Sequence, residues 1–163
     1  MLHWFVNLFS SFSPETATFL MAMTPVGELR LAIPIGILAY HLHPLKVFFL
    51  AIIGNSIPPL FILLLAGKFH KWISKKSGYF ASGWVKILNR AQEKFSNDYK
   101  KYGLIGLMIF VGIPFPYTGA YTGALAAFVF GIPLKSAWPY FLAGIFISGT
   151  ITLLITIGTG KIF

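Results

Sequence analysis

Apolar residues run along this chain in four long stretches, and two of the four are unbroken. One covers residues 45–67, the other 137–160. Each supplies the roughly 20 residues that a helix needs to cross a bilayer core. The first carries Gly54-Asn55-Ser56 and then Pro58-Pro59; two prolines remove backbone donors and are expected to kink it. The remaining stretches, 14–42 and 103–132, are interrupted. Ser13-Pro14-Glu15 is a helix start, with a cap, a proline in the first turn and an acid behind it. That helix should stop near Pro25-Val26-Gly27, and a second should run to about Tyr40. In the other region a helix from Gly103 to Val111 meets GIPFPYTG, after which a new helix is expected over about 118–131. Pro25, Pro34, Pro114 and Pro116 are the expected break points. Each half is too short to span alone, and non-helical backbone at membrane depth survives only inside protein or beside a water-filled cavity. The pattern therefore predicts two re-entrant hairpins; two kinked full spans are the alternative.

A short internal repeat supports the hairpins. HPLK (43–46) and IPLK (132–135) each open an unbroken stretch, and Pro25 and Pro114 each lie nineteen residues before the proline of that tetrapeptide. The expected fold is all-α: a single polytopic membrane domain over 1–163 with two repeats. The first repeat is 14–67 (hairpin 14–42, span 45–67), and the second is 103–160 (hairpin 103–132, span 137–160). Residues 68–102 join them. If that linker stays on one side, the repeats have inverted topology, related by a pseudo-two-fold axis in the membrane plane, an arrangement that commonly places a transport site at the repeat interface.

Composition agrees with a membrane solvent. The 163-residue chain is 56% hydrophobic and 10% charged, against roughly a quarter charged in soluble domains, and its mean hydropathy is +0.77. The net charge of +9 changes the picture only through its location. Nine of the thirteen basic residues lie between Lys68 and Lys101, opposed only by Glu93 and Asp98. Basic loops stay in the cytoplasm, so 68–102 is expected inside a cell (inner or plasma) membrane, against anionic lipid head groups, and not on nucleic acid. Trp84, Leu88, Ala91, Phe95, Tyr99 and Tyr102 recur at steps of three and four there, which predicts an amphipathic helix on or beside the membrane. The first dozen residues carry a similar division, with His3, Asn7, Ser10 and Ser11 against Trp4, Phe5, Leu8, Phe9 and Phe12. No basic residue precedes Arg30, so no signal peptide is expected. Without cysteine there is no thiolate chemistry or Cys-based metal site. No cofactor is expected. No nucleophile–base set, nucleotide loop or HExxH motif points to an enzyme.

Glu28 and Arg30 are the only charges between Thr16 and Tyr40. A charge at mid-bilayer costs about 2.5–3.5 kcal/mol on insertion scales, so both need partners. Two positions apart on a helix they would face nearly opposite ways; in extended backbone they would share a face, and the flanking prolines favour that picture. They form either a structural ion pair or a substrate or proton site. Glu28 can titrate, while Arg30 stays charged and suits a phosphate or carboxylate. The second half offers only neutral partners there: Tyr117, Thr118, Tyr121 and Thr122, with Asn55 and Ser56 on the first span. A helix starting near Thr118 at membrane depth would aim its free N–H groups at an anion, or Thr118 would simply cap it. Gly119, Gly123, Ala127 and Gly131 make a small-residue stripe for close helix packing. His41 and His43 are expected in an exposed turn.

PVGELRLAIPIGI (25–37), GNSIPP (54–59) and YGLIGLMIFVGIPFPYTGAYTGALAA (102–127) together resemble, in order and spacing, the signatures of the small multidrug export protein family. The resemblance covers about 24–158. Tyr117 stands where the family pattern has a glycine, and Tyr121 where it has a tryptophan. The family is distantly similar to the DedA group, and that resemblance implies two opposed re-entrant hairpins and links to lipid scrambling or flipping and proton-coupled transport. The leading expectation is a small transporter or lipid flippase for an anionic amphiphile. Arg30 and the helix start at Thr118 would bind the head group, Asn55, Tyr117 and Tyr121 would line the site, and Glu28 would hold Arg30 or take a proton. Proton-coupled export of drugs or other small molecules through Glu28 is the second expectation, and a non-transporting scaffold with a Glu28–Arg30 clamp the third. The bilayer is the expected partner, and a chain with so few spans can also form a homodimer.

Overall fold

In the computed structural model, residues 3–74, 99–115 and 119–160 are described. Among them there are seven α-helices and no strand. They are α1 (His3–Leu8), α2 (Pro14–Ala22), α3 (Glu28–Pro34), α4 (Pro44–Ser74), α5 (Tyr99–Gly112), α6 (Ala120–Val129) and α7 (Leu134–Gly160), with a π-helical turn, Ile35–Ala39, extending α3. The expected amphipathic helix of the linker lies mostly outside the described residues. Its last turn does not: Tyr99 and Tyr102 belong to α5, which runs unbroken to Gly112.

Local sequence accounts for most helix ends. Ser13 caps α2 by accepting the Thr16 N–H at 3.3 Å, and Pro14 opens its first turn, where no donor is needed. α2 stops at Ala22, before the prolines and not at them. Pro34 does not break the chain. It lies at the end of α3, and the backbone widens after it into the π turn, where the Tyr40 N–H reaches the Ile35 carbonyl at 3.0 Å. A proline lacks the N–H for an i−4 bond and its ring crowds that carbonyl, and a wider turn accommodates both defects. α4 also keeps Pro58 and Pro59 inside one continuous helix, which passes the expected end at Gly67. α6 begins at Ala120, two residues after the expected start, and Gly131 follows it with φ +67°, so this glycine ends the helix and leaves the small-residue stripe. His41 and His43 are exposed just before α4.

Among the described residues, two helices are long and apolar enough to cross a bilayer: Pro44–Leu65, with 22 residues, and Leu134–Thr159, with 26. At 1.5 Å per residue even the shorter covers the ~30 Å hydrocarbon layer. Their outer faces carry Phe49, Ile53, Phe61, Leu64, Phe146, Leu154 and Ile155, all exposed. The buried side chains mix small or polar groups, Ala51, Asn55, Ala137, Ser148, Thr152 and Thr156, with Val47, Phe48, Leu63, Phe141 and Ile145. Large apolar groups outside and polar groups kept inside is an arrangement that a lipid solvent permits, because packing and not water exclusion holds such helices together.

Each interrupted region packs on the span that follows it in the chain. α2 lies along the first half of α4 in the same direction. Glu15 meets Lys46 at 2.8 Å, Thr18 and Val47 flank Gly36 of the π turn, and Phe19 and Ala22 close on Gly54, which is halfway along the Pro44–Leu65 span. α5 repeats this on α7. Met108 and Val111 press on Gly144, and Gly112, where α5 ends, meets Ile147, halfway along Leu134–Thr159. Both breaks therefore lie level with the middle of a span. The return helices reach across: α6 packs chiefly on α4, and α3 on both α4 and α7. The spans touch where Phe48 meets Phe146, with ring centroids 5.2 Å apart, and where Ile52 approaches Gly149.

Two expectations follow. A Cβ at Gly54 would stand 2.5 Å from the Phe19 carbonyl oxygen, whereas one at Gly103 would meet nothing within 4 Å. Gly54→Ala should thus lose about 1–3 kcal/mol of stability to overpacking, with Gly103→Ala neutral or slightly stabilised, as read by thermal unfolding in detergent. The hydrogen bond and charge of Lys46 hold the Glu15 carboxyl below its usual range. A depressed folded value means that the pair stabilises above the unfolded carboxyl pKa and stops doing so as pH falls through the folded one. The difference in melting temperature between wild type and Glu15→Gln should therefore be present at about pH 7 and vanish in strong acid.

Candidate functional site

The first break, Met23–Gly27, folds on Thr24. Its hydroxyl donates to the Met21 carbonyl at 2.8 Å and accepts the Gly27 N–H at 2.9 Å, while its carbonyl accepts the Glu28 N–H at 3.0 Å. Glu28 then opens α3 with φ +42°, a left-handed conformation that a glutamate adopts only under strain. This corrects the extended-strand picture. The segment is helical from Glu28 onward, and the two side chains meet all the same. Arg30 Nη2 lies 3.3 Å from Glu28 Oε2. The glutamate side chain is 11% exposed and the arginine 26%, so the acid lies inside and the base toward the edge.

The second break brings the rest. Gly119, buried and with φ +151°, takes the N-cap position of α6. The Glu28 carboxylate lies directly over it. A Cβ on Gly119 would collide with Oε2 and stand 2.7 Å from Oε1, so only glycine leaves room for the acid. The backbone N–H groups of Ala120 and Tyr121, at the open start of α6, serve this carboxylate as donors. The Tyr121 hydroxyl in turn donates to the Met23 carbonyl in the first break. The two breaks are thus stitched in both directions: an acid from the first on the helix start of the second, and a phenol from the second on a free carbonyl of the first.

The structure brings Glu28, Arg30 and Tyr121 together. Pro25 and Pro114 lie in the breaks, and Pro34 does not, as described above. Tyr117, Thr118 and Pro116 fall outside the described residues. The cap expected of Thr118 belongs to Gly119. Tyr121 was expected to line an open pocket and is tied instead to the opposite break. Asn55 lies on the α4 stripe of Phe48 and Ile52, at i+7 and i+3, and those two side chains touch α7. It is 2% exposed, and its Oδ1 has no hydrogen-bond partner. Sequence reasoning missed Gly119 as a site residue. Its signal was available, a glycine directly before a helix, but the four-residue spacing with Gly123 and Ala127 reads more plainly as packing, a role those two also fill.

A family model described as "Putative small multi-drug export protein" matches residues 28–151. The chain belongs to this family. The match begins at Glu28 itself, directly after the first break, and takes in the second break, the first span and most of the second, so Glu28, Arg30, Gly119 and Tyr121 all lie within it. With its two apolar spans, this export-family chain is a membrane protein. No curated protein and no solved structure matches it.

Gly119→Ala should displace the Glu28 carboxylate and destabilise the protein by about 1–3 kcal/mol. In a Glu28→Gly background, which removes both the obstructing carboxylate and the left-handed strain, the same substitution should cost clearly less. A double-mutant cycle by thermal unfolding measures that coupling; strict additivity would mean that the two residues do not meet.

Proposed function

We propose that this protein is a proton-coupled exporter of small molecules and that Glu28 is its coupling group. The observation that carries the reading is the position of the Glu28 carboxylate between Arg30 and the start of α6. As a carboxylate it ties the two breaks; once protonated it gives up most of its attraction for both Arg30 and the N–H groups. One proton then releases one bistable contact at the centre of the bundle, which is what alternating exposure of a site requires. The strained φ of Glu28 fits a residue held in place by its surroundings and not by its own preference.

The surrounding architecture is read as two re-entrant hairpins in inverted repeats, as in the DedA group that the family distantly resembles. Three features support this: each break lies level with the middle of a span, the return helices reach the span of the other repeat, and Lys68–Lys101 concentrates the basic charge. The same charge is the ground for placing 68–102 in the cytoplasm of an inner or plasma membrane, beside anionic head groups. The chain is read as a carrier and not an enzyme.

Movement of an anionic amphiphile such as a lipid phosphate is the second reading. Its two binding elements, Arg30 and the start of α6, both hold Glu28 instead. An anionic group could take them only after Glu28 is protonated, so this reading also passes through the same proton.

Proteoliposomes separate the readings. Efflux of a fluorescent export substrate such as ethidium, driven by an imposed pH gradient, should fall to the level of empty liposomes in Glu28→Gln while the melting temperature stays near wild type. If lipid movement between leaflets is seen instead and needs Arg30, as tested with Arg30→Ala, the amphiphile reading stands. If Glu28→Gln and Arg30→Ala lower only the melting temperature and no flux or lipid movement occurs in wild type, the pair is a structural clamp.

A further inference from the structure

Beyond the stitched centre, the described residues of the two spans bury four polar side chains: Asn55 on α4 and Ser148, Thr152 and Thr156 on α7. Ser148, Thr152 and Thr156 stand at four-residue intervals along the second half of α7 and are 6%, 7% and 3% exposed. Their neighbours Leu154 and Ile155 are exposed on the outer face, so the hydroxyls mark the inner face of an otherwise apolar helix end. α5 ends beside Ile147, so from Ser148 onward α7 is beyond its reach. The early turns of α4 pack on α7 there, through Phe48 and Ile52 on Gly149, and α3, which begins at Glu28, also packs on α7. The row therefore starts at the level of the breaks and runs toward the end of the molecule where α4 begins. Asn55, on the face of α4 that meets α7, stands at its inner end.

The row has a definite hydrogen-bonding character. The Thr152 hydroxyl donates to the Ser148 carbonyl at 2.8 Å, and the Thr156 hydroxyl to the Thr152 carbonyl at 2.7 Å. With their hydrogens held by the helix, these oxygens offer only lone pairs to anything beside them. Asn55 Oδ1, buried and without a donor, adds another acceptor. A row of acceptors solvates donors, such as water or a hydrated proton, and gives an anion nothing to bind.

We infer that Asn55, Ser148, Thr152 and Thr156 form a proton-access track between Glu28 and the membrane face at which α4 begins. The inference rests on the proton-coupled reading of Glu28. Among the described residues, the charged and titratable groups that face Glu28 are Arg30 from α3 and Tyr121 from α6. From α4 and α7 the track brings only the neutral amide and hydroxyls, whose lone pairs solvate a passing hydrated proton without keeping it.

The chain contains no cysteine, so single cysteines can be placed without removing others. Ser148→Cys, Thr152→Cys and Thr156→Cys in proteoliposomes would be exposed to a membrane-impermeant thiol reagent from each side in turn. His43→Cys, exposed just before α4, marks the access side, and Leu154→Cys reports the lipid face. The track variants should react from the His43 side, fastest at Thr156 and slowest at Ser148, and roughly tenfold faster than Leu154→Cys. Rates no faster than Leu154→Cys, or reaction only from the opposite side, would overturn the track. If Thr152→Cys fails to fold, Thr152→Ser and Thr152→Val decide in its place. Proton entry into pyranine-loaded vesicles under a pH gradient should be unchanged for serine and reduced for valine, and equal rates for both would remove the track. Labelling does not depend on transport. A reactive track with wild-type efflux in Glu28→Gln would therefore leave the track standing and sink the coupling role.

Discussion

The seat of the Glu28 carboxylate over Gly119 organises the molecule. An acid in apolar surroundings is expensive, and several donors must converge on it to keep it there. Here the donors come from both halves of the chain: the Arg30 guanidinium two residues along, and the N–H groups at the start of α6, ninety residues away in sequence. The open end of a helix has donors without partners, and a buried acid has a charge without a counterpart. Each resolves the other's defect, and so neither break can be understood alone. Tyr121 completes the exchange by donating to a carbonyl that the ended helix α2 leaves free.

The lipid solvent explains why the breaks exist in pairs. Backbone that leaves a helix inside a bilayer must find its hydrogen bonds within the protein. Thr24 supplies some of these in the first break through its hydroxyl and its carbonyl. The two breaks supply others to one another. Small residues make this proximity feasible: Gly36, Gly54, Gly144 and Gly149 let helix surfaces approach until added methyl groups would overlap. Close packing of this kind has discrete arrangements and no continuous range between them, which suits a device that switches.

In the relation between charge and function, the helix start that a bare sequence offers to an external anion is occupied in the folded protein by an internal one. That occupation shifts attention from what Arg30 binds to when Glu28 lets go. The same logic separates the centre from the hydroxyl row of α7. The centre holds opposite charges in balance, and the row holds none.

The sequence by itself determined the solvent, the helices and the dangerous residues. Composition and unbroken apolar runs required a membrane; Ser13-Pro14-Glu15 located α2; Pro25 and Pro114 marked regions where helix fails; and Glu28 with Arg30 had to be significant because charge in lipid needs a reason. These are one-dimensional signals, set by local sterics and by transfer energies that each residue carries with it. Other features followed from neighbours that no window of sequence contains. Pro34, Pro58 and Pro59 read as breaks or kinks but stay within helical backbone in the packed protein. Glu28 and Arg30 meet on a helix, against the usual spacing, with the Glu28 carboxylate seated against Gly119 at the start of α6. Gly119 reads as packing because its partner lies some ninety residues upstream. Only the tertiary structure decides which buried donor faces which buried acceptor, since that depends on where two distant breaks in the chain come to lie and not on what either contains.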